Sequence, residues 1–133
     1  MKPPIRIELP IPPTTNRLFP TVRGRRICSE EYKAWKQEAG WSVLQAKVAP
    51  YAVPVALTLT IRGGKGFTTR RDLTNCWKSV EDLLVAHGLI PDDNVNWIPE
   101  HHDRYEKPTD KTQPARCWVE ITEADSLTEG DTH

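Results

Sequence analysis

The chain has 133 residues, 38% of them hydrophobic and 27% charged, which is the composition of one small globular domain. No apolar run approaches the ~20 residues needed to cross a bilayer, and the first residues lack the apolar segment of a secretory signal peptide. The three cysteines, Cys28, Cys76 and Cys117, form no C-x-x-C pair, so they predict reduced thiols in a cytoplasmic protein and exclude a disulfide framework or zinc knuckle.

The formal net charge is zero, but the charges are unevenly distributed along the chain. Residues 1–78 hold 14 of the 18 Lys and Arg and five acidic residues, a balance of +9, whereas residues 79–133 have a balance of −9. A basic half suits a polyanionic partner, and an acidic half can supply carboxylates that hold a metal beside it. Alternatively, the two halves fold together and their charges interleave.

The first half of the chain predicts a strand, a hairpin and a helix. Alternating apolar residues in 5–9 indicate a short strand, and the prolines of 10–20 favour a stiff loop. The sequence TVRGRRI predicts a small hairpin that turns at Gly24. Ser29 is a good N-cap, and apolar residues at spacings of three and four continue the helix to about Lys47.

The second half predicts strands around one further helix. Residues 55–61 alternate as a strand, and the run RRDLTNCWKSVEDLL opens a helix that stops at Gly88. A strand is predicted near Val95–Ile98, and the polar, proline-marked segment 101–116 is predicted to be a long connection. A last strand covers 117–121.

This element order predicts an α+β domain in which a small mixed sheet has two helices packed on one face. The domain is predicted to span residues 1–122. Residues 123–133 have no core pattern and are predicted to form an acidic, disordered tail.

Polar groups on the second predicted helix suggest a metal site. Asn75, Lys78 and Asp82 are spaced three and four apart, so they are predicted to line one side of the helix. Asp72 lies at the start of this helix, and Asp93 follows it after a short loop. Carboxylate and amide oxygens suit Mg²⁺, which can polarise a phosphodiester and activate a water molecule, while a lysine stabilises the anionic transition state.

Each of these residues also has a structural interpretation. Asp72 can simply cap the helix, Lys78 and Asp82 can form an i,i+4 surface pair, and Asp92 and Asp93 can be turn residues after Pro91. The combination, rather than any single residue, favours a functional site.

The spacing of this combination resembles the RusA family of Holliday junction resolvases. Its signature is D-x-D-N-x-x-K-x-x-x-D-x-L, followed by a glycine and, about ten residues on, by a pair of aspartates. Here the matching run begins at Arg70-Arg71-Asp72-Leu73-Thr74-Asn75 and ends at Asp92-Asp93. The opening LPIPPTTNRLFP, with Asn16 and Arg17, is similar to the family's opening strand and proline turn, and the resemblance covers about residues 5 to 122.

The resemblance implies a homodimeric, Mg²⁺-dependent endonuclease that binds branched DNA and nicks two strands of a four-way junction symmetrically, in recombination and repair. It implies that Asp72 and Asp93 are catalytic metal ligands, that Asn75 is the family's asparagine at the metal site, that Lys78 is the catalytic lysine, and that Asp82 has a supporting role. Asp92 and Asp103 are alternative candidates for a further metal carboxylate. We expect DNA contacts from a set of polar and basic residues: Asn16, Arg17, Arg23, Arg25, Arg26, Arg70 and Arg71. We also expect the protein to come from a phage or prophage, where small stand-alone resolvases are useful.

One position departs from the family pattern. Thr74 stands where the signature has its second aspartate, so one carboxylate is missing. Three hypotheses follow: an active junction endonuclease, a junction-binding protein that keeps the fold and dimer but not cleavage, and a small structural protein with no nucleic-acid role.

Overall fold

The computed structural model describes residues 3–65, 73 and 75–124, and for Asn16 it describes the backbone alone. Two helices and a mixed four-stranded sheet, together with a two-stranded sheet, confirm the predicted α+β class. The elements are β1 (Ile5–Leu9), β2 (Thr21–Val22), β3 (Arg25–Arg26), α1 (Glu30–Ala46), β4 (Val55–Arg62), α2 (Trp77–Ala86), β5 (Glu100–Glu106) and β6 (Arg116–Glu123).

The four-stranded sheet has the order β1-β6-β4-β5. β6 pairs antiparallel with both β1 and β4, whereas β4 and β5 are parallel. Because parallel neighbours need a crossover connection, the segment that contains α2 joins β4 to β5. β5 is the last strand in this order and so forms one edge of the sheet. Its side chains contact α2, which carries part of the predicted motif.

One face of the sheet and the two helices form the core. Leu59 pairs across the sheet with Val119, and alternate residues on each side of them are also buried. Tyr32, Trp35 and Val43 of α1 join the same cluster, as do Val80, Leu83 and Leu84 of α2. The apolar residues that recur at every second position in the strands and every 3.6 positions in the helices thus pack together in one core layer.

The other face of the sheet is polar and centres on Trp118. The guanidinium groups of Arg6, Arg62 and Arg116 lie 4.6, 5.2 and 4.9 Å from the centre of its ring system. Arg116 is also bound by Glu8 at 2.7 Å. Cation–π contacts therefore cover this large aromatic side chain.

Ser29 caps α1 as predicted. Its hydroxyl accepts a hydrogen bond of 3.0 Å from the backbone N–H of Tyr32, and Glu30 and Glu31 in the first turn interact favourably with the helix dipole. The helix ends at Ala46, and its C-cap residue Lys47 has a left-handed φ of 53°. Over the part of the chain that is described, neither helix combines the length and apolar character needed to span a membrane.

The start of the second helix differs from the sequence prediction. α2 begins at Trp77, while residues 73, 75 and 76 have 3₁₀ conformation. The hydroxyl of Thr15 donates to the backbone oxygen of Asn75 at 2.9 Å, and the Cys76 thiol donates to that of Pro12 at 3.7 Å. These bonds hold the segment against the proline-rich loop, so Asn75 lies in a 3₁₀ turn immediately before α2 rather than within it.

The strand predicted near Val95–Ile98 is wrong. Trp97 and Ile98 donate backbone hydrogen bonds to the carbonyl of Asn94, at 3.0 and 2.9 Å, and close a turn instead. The strand lies further along the chain, as β5, within the segment that the sequence pattern predicts to be a connection.

The described structure continues past residue 122. β6 includes Glu123, and the backbone N–H of Ala124 donates to the carbonyl of Pro54 at 2.9 Å. The remainder of the predicted tail, 125–133, lies outside the described residues.

Candidate active site

Asn75 lies in the turn that leads into α2, next to the proline-rich loop. The Thr15–Asn75 hydrogen bond ties this turn to a short 3₁₀ helix, Thr15–Arg17. The segment that carries Asn16 and Arg17, which are predicted to contact DNA, is thus hydrogen-bonded to the segment that carries the motif residue Asn75. Arg17 itself is exposed and lies 3.8 Å from the carboxylate of Glu31.

Lys78 and Asp82 form the i,i+4 pair that their spacing predicts. The Lys78 ammonium lies 3.5 Å from an Asp82 carboxylate oxygen, and half of the lysine side chain is exposed. The lysine is thus oriented by a neighbouring acid but remains accessible to a ligand.

Glu81 lies on the same side of α2, three residues after Lys78. Only 14% of its side chain is exposed, and its carboxylate contacts the imidazole of His101 on β5. Burial is the main cause that raises the pKa of Glu81; the negative charges of Asp93 and Asp82 raise it further, while His101 opposes the shift. Three carboxylates on α2 and the following loop therefore interact electrostatically beside Lys78.

Asp93 and Asp92 differ in how their side chains are used. Asp92 accepts hydrogen bonds from the backbone N–H of Asp93 at 2.7 Å and from the amide of Asn94 at 3.0 Å. Asp92 thus serves as a turn residue, as its structural interpretation predicts. Among the described residues, no hydrogen bond reaches the half-buried carboxylate of Asp93, which leaves it available to a ligand.

The basic hairpin β2–β3 is exposed throughout. Arg23 and Gly24 form its turn with φ of 52° and 78°, and no described carboxylate pairs with Arg23, Arg25 or Arg26. Just before the hairpin, Phe19 packs edge-on against Tyr32, with ring centres 5.7 Å apart.

Tyr32 connects this region electrostatically to the acidic side of α2. Burial raises the pKa of Tyr32 to about 12, and the charge of Asp82 contributes to the shift. Tyr32 of α1 thus lies within electrostatic reach of Asp82 and packs against Phe19, which precedes the hairpin.

The endodeoxyribonuclease RusA family model matches residues 10–121. This chain belongs to that family. A search of curated proteins found no match. Membership in the RusA family makes the chain a nuclease of the endodeoxyribonuclease type and implies Holliday junction resolvase activity in general.

The RusA match contains every predicted site residue, but several of them lie outside the described residues. These are Arg70, Arg71, Asp72 and Thr74, together with the side chain of Asn16. The predicted approach of Asp72 to Asp93 therefore stays a prediction. Within the described ranges, no three His, Cys, Asp or Glu side chains are arranged to hold a metal ion.

The sequence pattern does not identify Glu81 and His101 as site residues. The spacing of Glu81 from Lys78 is visible, but an acid on a polar helix side usually indicates a solvated surface. Its partner cannot be found from the pattern, because the strand that carries His101 is predicted to be a connection.

Proposed function

We propose that this RusA-family protein is a Mg²⁺-dependent homodimeric endonuclease that binds four-way DNA junctions and resolves them by paired symmetric cuts. The family match over residues 10–121 carries this proposal. The grouping of Lys78, Asp82 and Asp93 around one side of α2 supports it, because phosphodiester hydrolysis needs a cation and carboxylates near the same phosphate.

The donors present suit Mg²⁺ in kind. Asp93 offers a carboxylate that no described group occupies, and Asn75 offers an amide, both of which are hard oxygen ligands. We propose that Asp72 completes the set, since the described residues do not form a three-ligand group. Asp92 is the weaker candidate, because its carboxylate is engaged in the turn.

When bound, Mg²⁺ would polarise the scissile phosphate and lower the pKa of a water molecule. Lys78 would then stabilise the negative charge that develops on the phosphoryl oxygens. Asp82, at 3.5 Å, would orient the lysine towards this position. Asp72 and Asp93 would supply the negative charge that retains the metal.

The DNA would contact the basic hairpin and the loops beside the site. Arg23, Arg25 and Arg26 are exposed and unpaired with described acids, so they can neutralise phosphates without breaking ion pairs. We propose that Asn16, Arg17, Arg70 and Arg71 extend this surface.

A homodimer follows from the proposed paired cuts, because the chain carries one candidate site. Trp35 cannot contribute to the interface, since it is buried and its indole donates to the carbonyl of Pro10 at 2.8 Å. Trp41 and Leu44 are 65% and 57% exposed on the outer side of α1, where Ala34 lies about two to three turns before them. We propose that two copies of this side pack together, with Trp41 of each copy against Ala34 of the other.

The second candidate function is junction binding without cleavage. The observation that favours it is Thr74, which lacks the charge of the aspartate in the family signature. A missing carboxylate weakens divalent-metal affinity while it leaves the fold and the basic surface unchanged.

Incubation of the purified protein with a synthetic four-way junction separates these functions. We expect nicking with Mg²⁺, none with EDTA, and much less nicking of a linear duplex of the same sequence. Tight junction binding without nicking in Mg²⁺ would favour the second function, and failure to bind any branched DNA would refute both.

A further inference from the structure

The helix-facing side of β5 is polar where a core strand would be apolar. His101 and Asp103 pair in register with Leu57 and Leu59 of β4, so their side chains point to the face that the helices cover. Both residues are exposed, as is usual for an edge strand, and what distinguishes them is their contacts with α2.

Both polar residues are bound by α2. His101 contacts the carboxylate of Glu81, and Asp103 accepts a hydrogen bond of 2.6 Å from the indole N–H of Trp77. The rings of Trp77 and His101 also meet edge to face, with centres 4.7 Å apart. We call these four residues the α2–β5 latch.

The latch flanks Lys78 on the helix. Trp77 immediately precedes Lys78 in the sequence. Glu81 lies three residues after Lys78, so these two side chains are neighbours on the same side of the helix. The charged groups that act on Glu81 include His101 on β5, Asp93 on the following loop and Asp82 on its own helix. A rotation of α2 about its axis would therefore move Lys78 relative to Asp93.

The composition of the latch disfavours a purely structural role. A largely buried carboxylate is costly when further negative charges lie near it, and an apolar pair at Glu81 and His101 would join helix to strand without that cost. The contact between the polar pair is directional, because its hydrogen bond has a preferred geometry whereas apolar packing does not.

We propose that Glu81 and His101 are positioning residues for the cleavage reaction, which fix α2 on the edge strand and so set Lys78 against the scissile phosphate. This inference rests on the proposed endonuclease function and adds to it two residues, on α2 and on β5. Neither residue needs to touch the substrate.

The chain offers a matched control pair. His102 and Glu100 lie on the same strand, point to the opposite face, and form an exposed pair at 3.1 Å. Removal of either one takes away a histidine–carboxylate pair but leaves α2 untouched.

The test compares Glu81→Ala, Glu81→Gln and His101→Ala with Glu100→Ala and His102→Ala. For junction cleavage, we expect Glu81→Ala and His101→Ala to lower kcat at least about tenfold with junction affinity changed less than about twofold, because misplacement costs rate more than binding. Glu81→Gln, which keeps a hydrogen-bond acceptor, should recover most of the rate, and the double alanine variant should be no slower than the slower single one. Control variants with equal losses, or latch variants within about twofold of wild type, would overturn the proposal.

A second measurement reads the position of Lys78 without cleavage. In protein whose lysines carry ¹³C-methyl groups, the Lys78 resonance is assigned by its loss in Lys78→Arg. We expect this resonance to shift in Glu81→Ala and His101→Ala and to remain unchanged in the controls. A Lys78 resonance that does not move in these two variants overturns the positioning role. A resonance that does move in them, together with a wild type that cuts no junction, sustains the latch and refutes only the proposed function.

Discussion

At Lys78, an effect of substitution on catalytic activity can be separated from an effect on stability. Its ion pair with Asp82 is half exposed, and such pairs contribute at most about 0.5 kcal/mol to stability. We predict that Lys78→Ala leaves the free energy of unfolding within that range but lowers kcat for junction cleavage by about 10²-fold, because it removes transition-state charge stabilisation. Single-turnover cleavage and urea unfolding measure the two quantities.

Lys33→Ala is the control for this prediction. Lys33 lies in an equivalent exposed pair with Glu30, at 3.2 Å, but on α1. Its removal should alter neither quantity. An equal loss of cleavage in both variants would show that Lys78 acts only through general charge.

Thr74 decides between the two candidate functions at the scale of one residue. We predict that Thr74→Asp raises the cleavage rate or lowers the Mg²⁺ concentration needed for half-maximal rate, because it adds a carboxylate where the family signature has one. Asp72→Asn should abolish cleavage while junction binding persists. A wild type that cuts well and is inactivated by Thr74→Asp would contradict the interpretation of Thr74 as a missing ligand.

At the scale of elements, Gly64 follows β4 where the chain passes close to the backbone of residues 113–115. A Cβ atom at Gly64 would lie 2.6 Å from the backbone oxygen of Gln113 and 2.9 Å from the backbone nitrogen of Ala115, and backbone atoms cannot move aside as side chains do. We predict that Gly64→Ala destabilises the fold by about 1–3 kcal/mol and reduces cleavage. Thermal unfolding measures the first effect, with the exposed neighbour Lys65→Ala as control; an unchanged melting temperature for Gly64→Ala would contradict the prediction.

The elements with a regular apolar pattern could be predicted from the sequence. β4 alternates Val55 to Ile61 because one face is covered by helices, and α1 has both a capping serine and a buried stripe. β5 could not be predicted, because it is an edge strand whose helix-facing positions hold His101 and Asp103. The alternation that identifies a strand is absent there, although the backbone pairing with β4 is regular.

The candidate site could be predicted in part for the same physical reasons. The Lys78–Asp82 pair depends only on helical spacing, so it could be predicted from the sequence. The start of α2 depends on hydrogen bonds from Thr15 and Cys76 to distant parts of the chain, and the Glu81–His101 contact depends on strand order. Such long-range contacts leave no periodic signal.

At the scale of the whole molecule, the basic hairpin predicts how DNA affinity depends on salt. We predict that replacement of Arg23, Arg25 and Arg26 by Gln reduces the slope of log K against log salt by up to about 0.9 for each DNA phosphate that the variant no longer neutralises. The Mg²⁺ requirement for cleavage should not change. Fluorescence anisotropy with a labelled junction measures the slope.

Three exposed cations elsewhere provide the control for the hairpin variant. Arg104, Lys107 and Lys111 carry the same total charge but lie on and after β5. Their replacement by Gln should change the slope much less. Equal changes in both triple variants would indicate net charge rather than binding at the hairpin, and a salt-insensitive wild type would refute phosphate binding.

The proposed dimer makes a further prediction at this scale. Trp41→Lys should convert a micromolar dimer into a monomer, since it places a charge in an apolar contact. Val53→Lys, at an exposed apolar residue before β4, should leave the dimer intact. Analytical ultracentrifugation distinguishes these results, and a wild-type monomer that still cleaves junctions would contradict the proposal.

The positions of the cuts in a four-way junction test the central claim most directly. With each of the four strands end-labelled in turn, wild-type protein and Mg²⁺ should produce nicks in two strands of like polarity, at symmetric positions near the branch point. Asp93→Asn should produce none while it still binds the junction. Nicks in a single strand only, or equal cleavage of a linear duplex, would contradict the assignment of this chain as a junction resolvase.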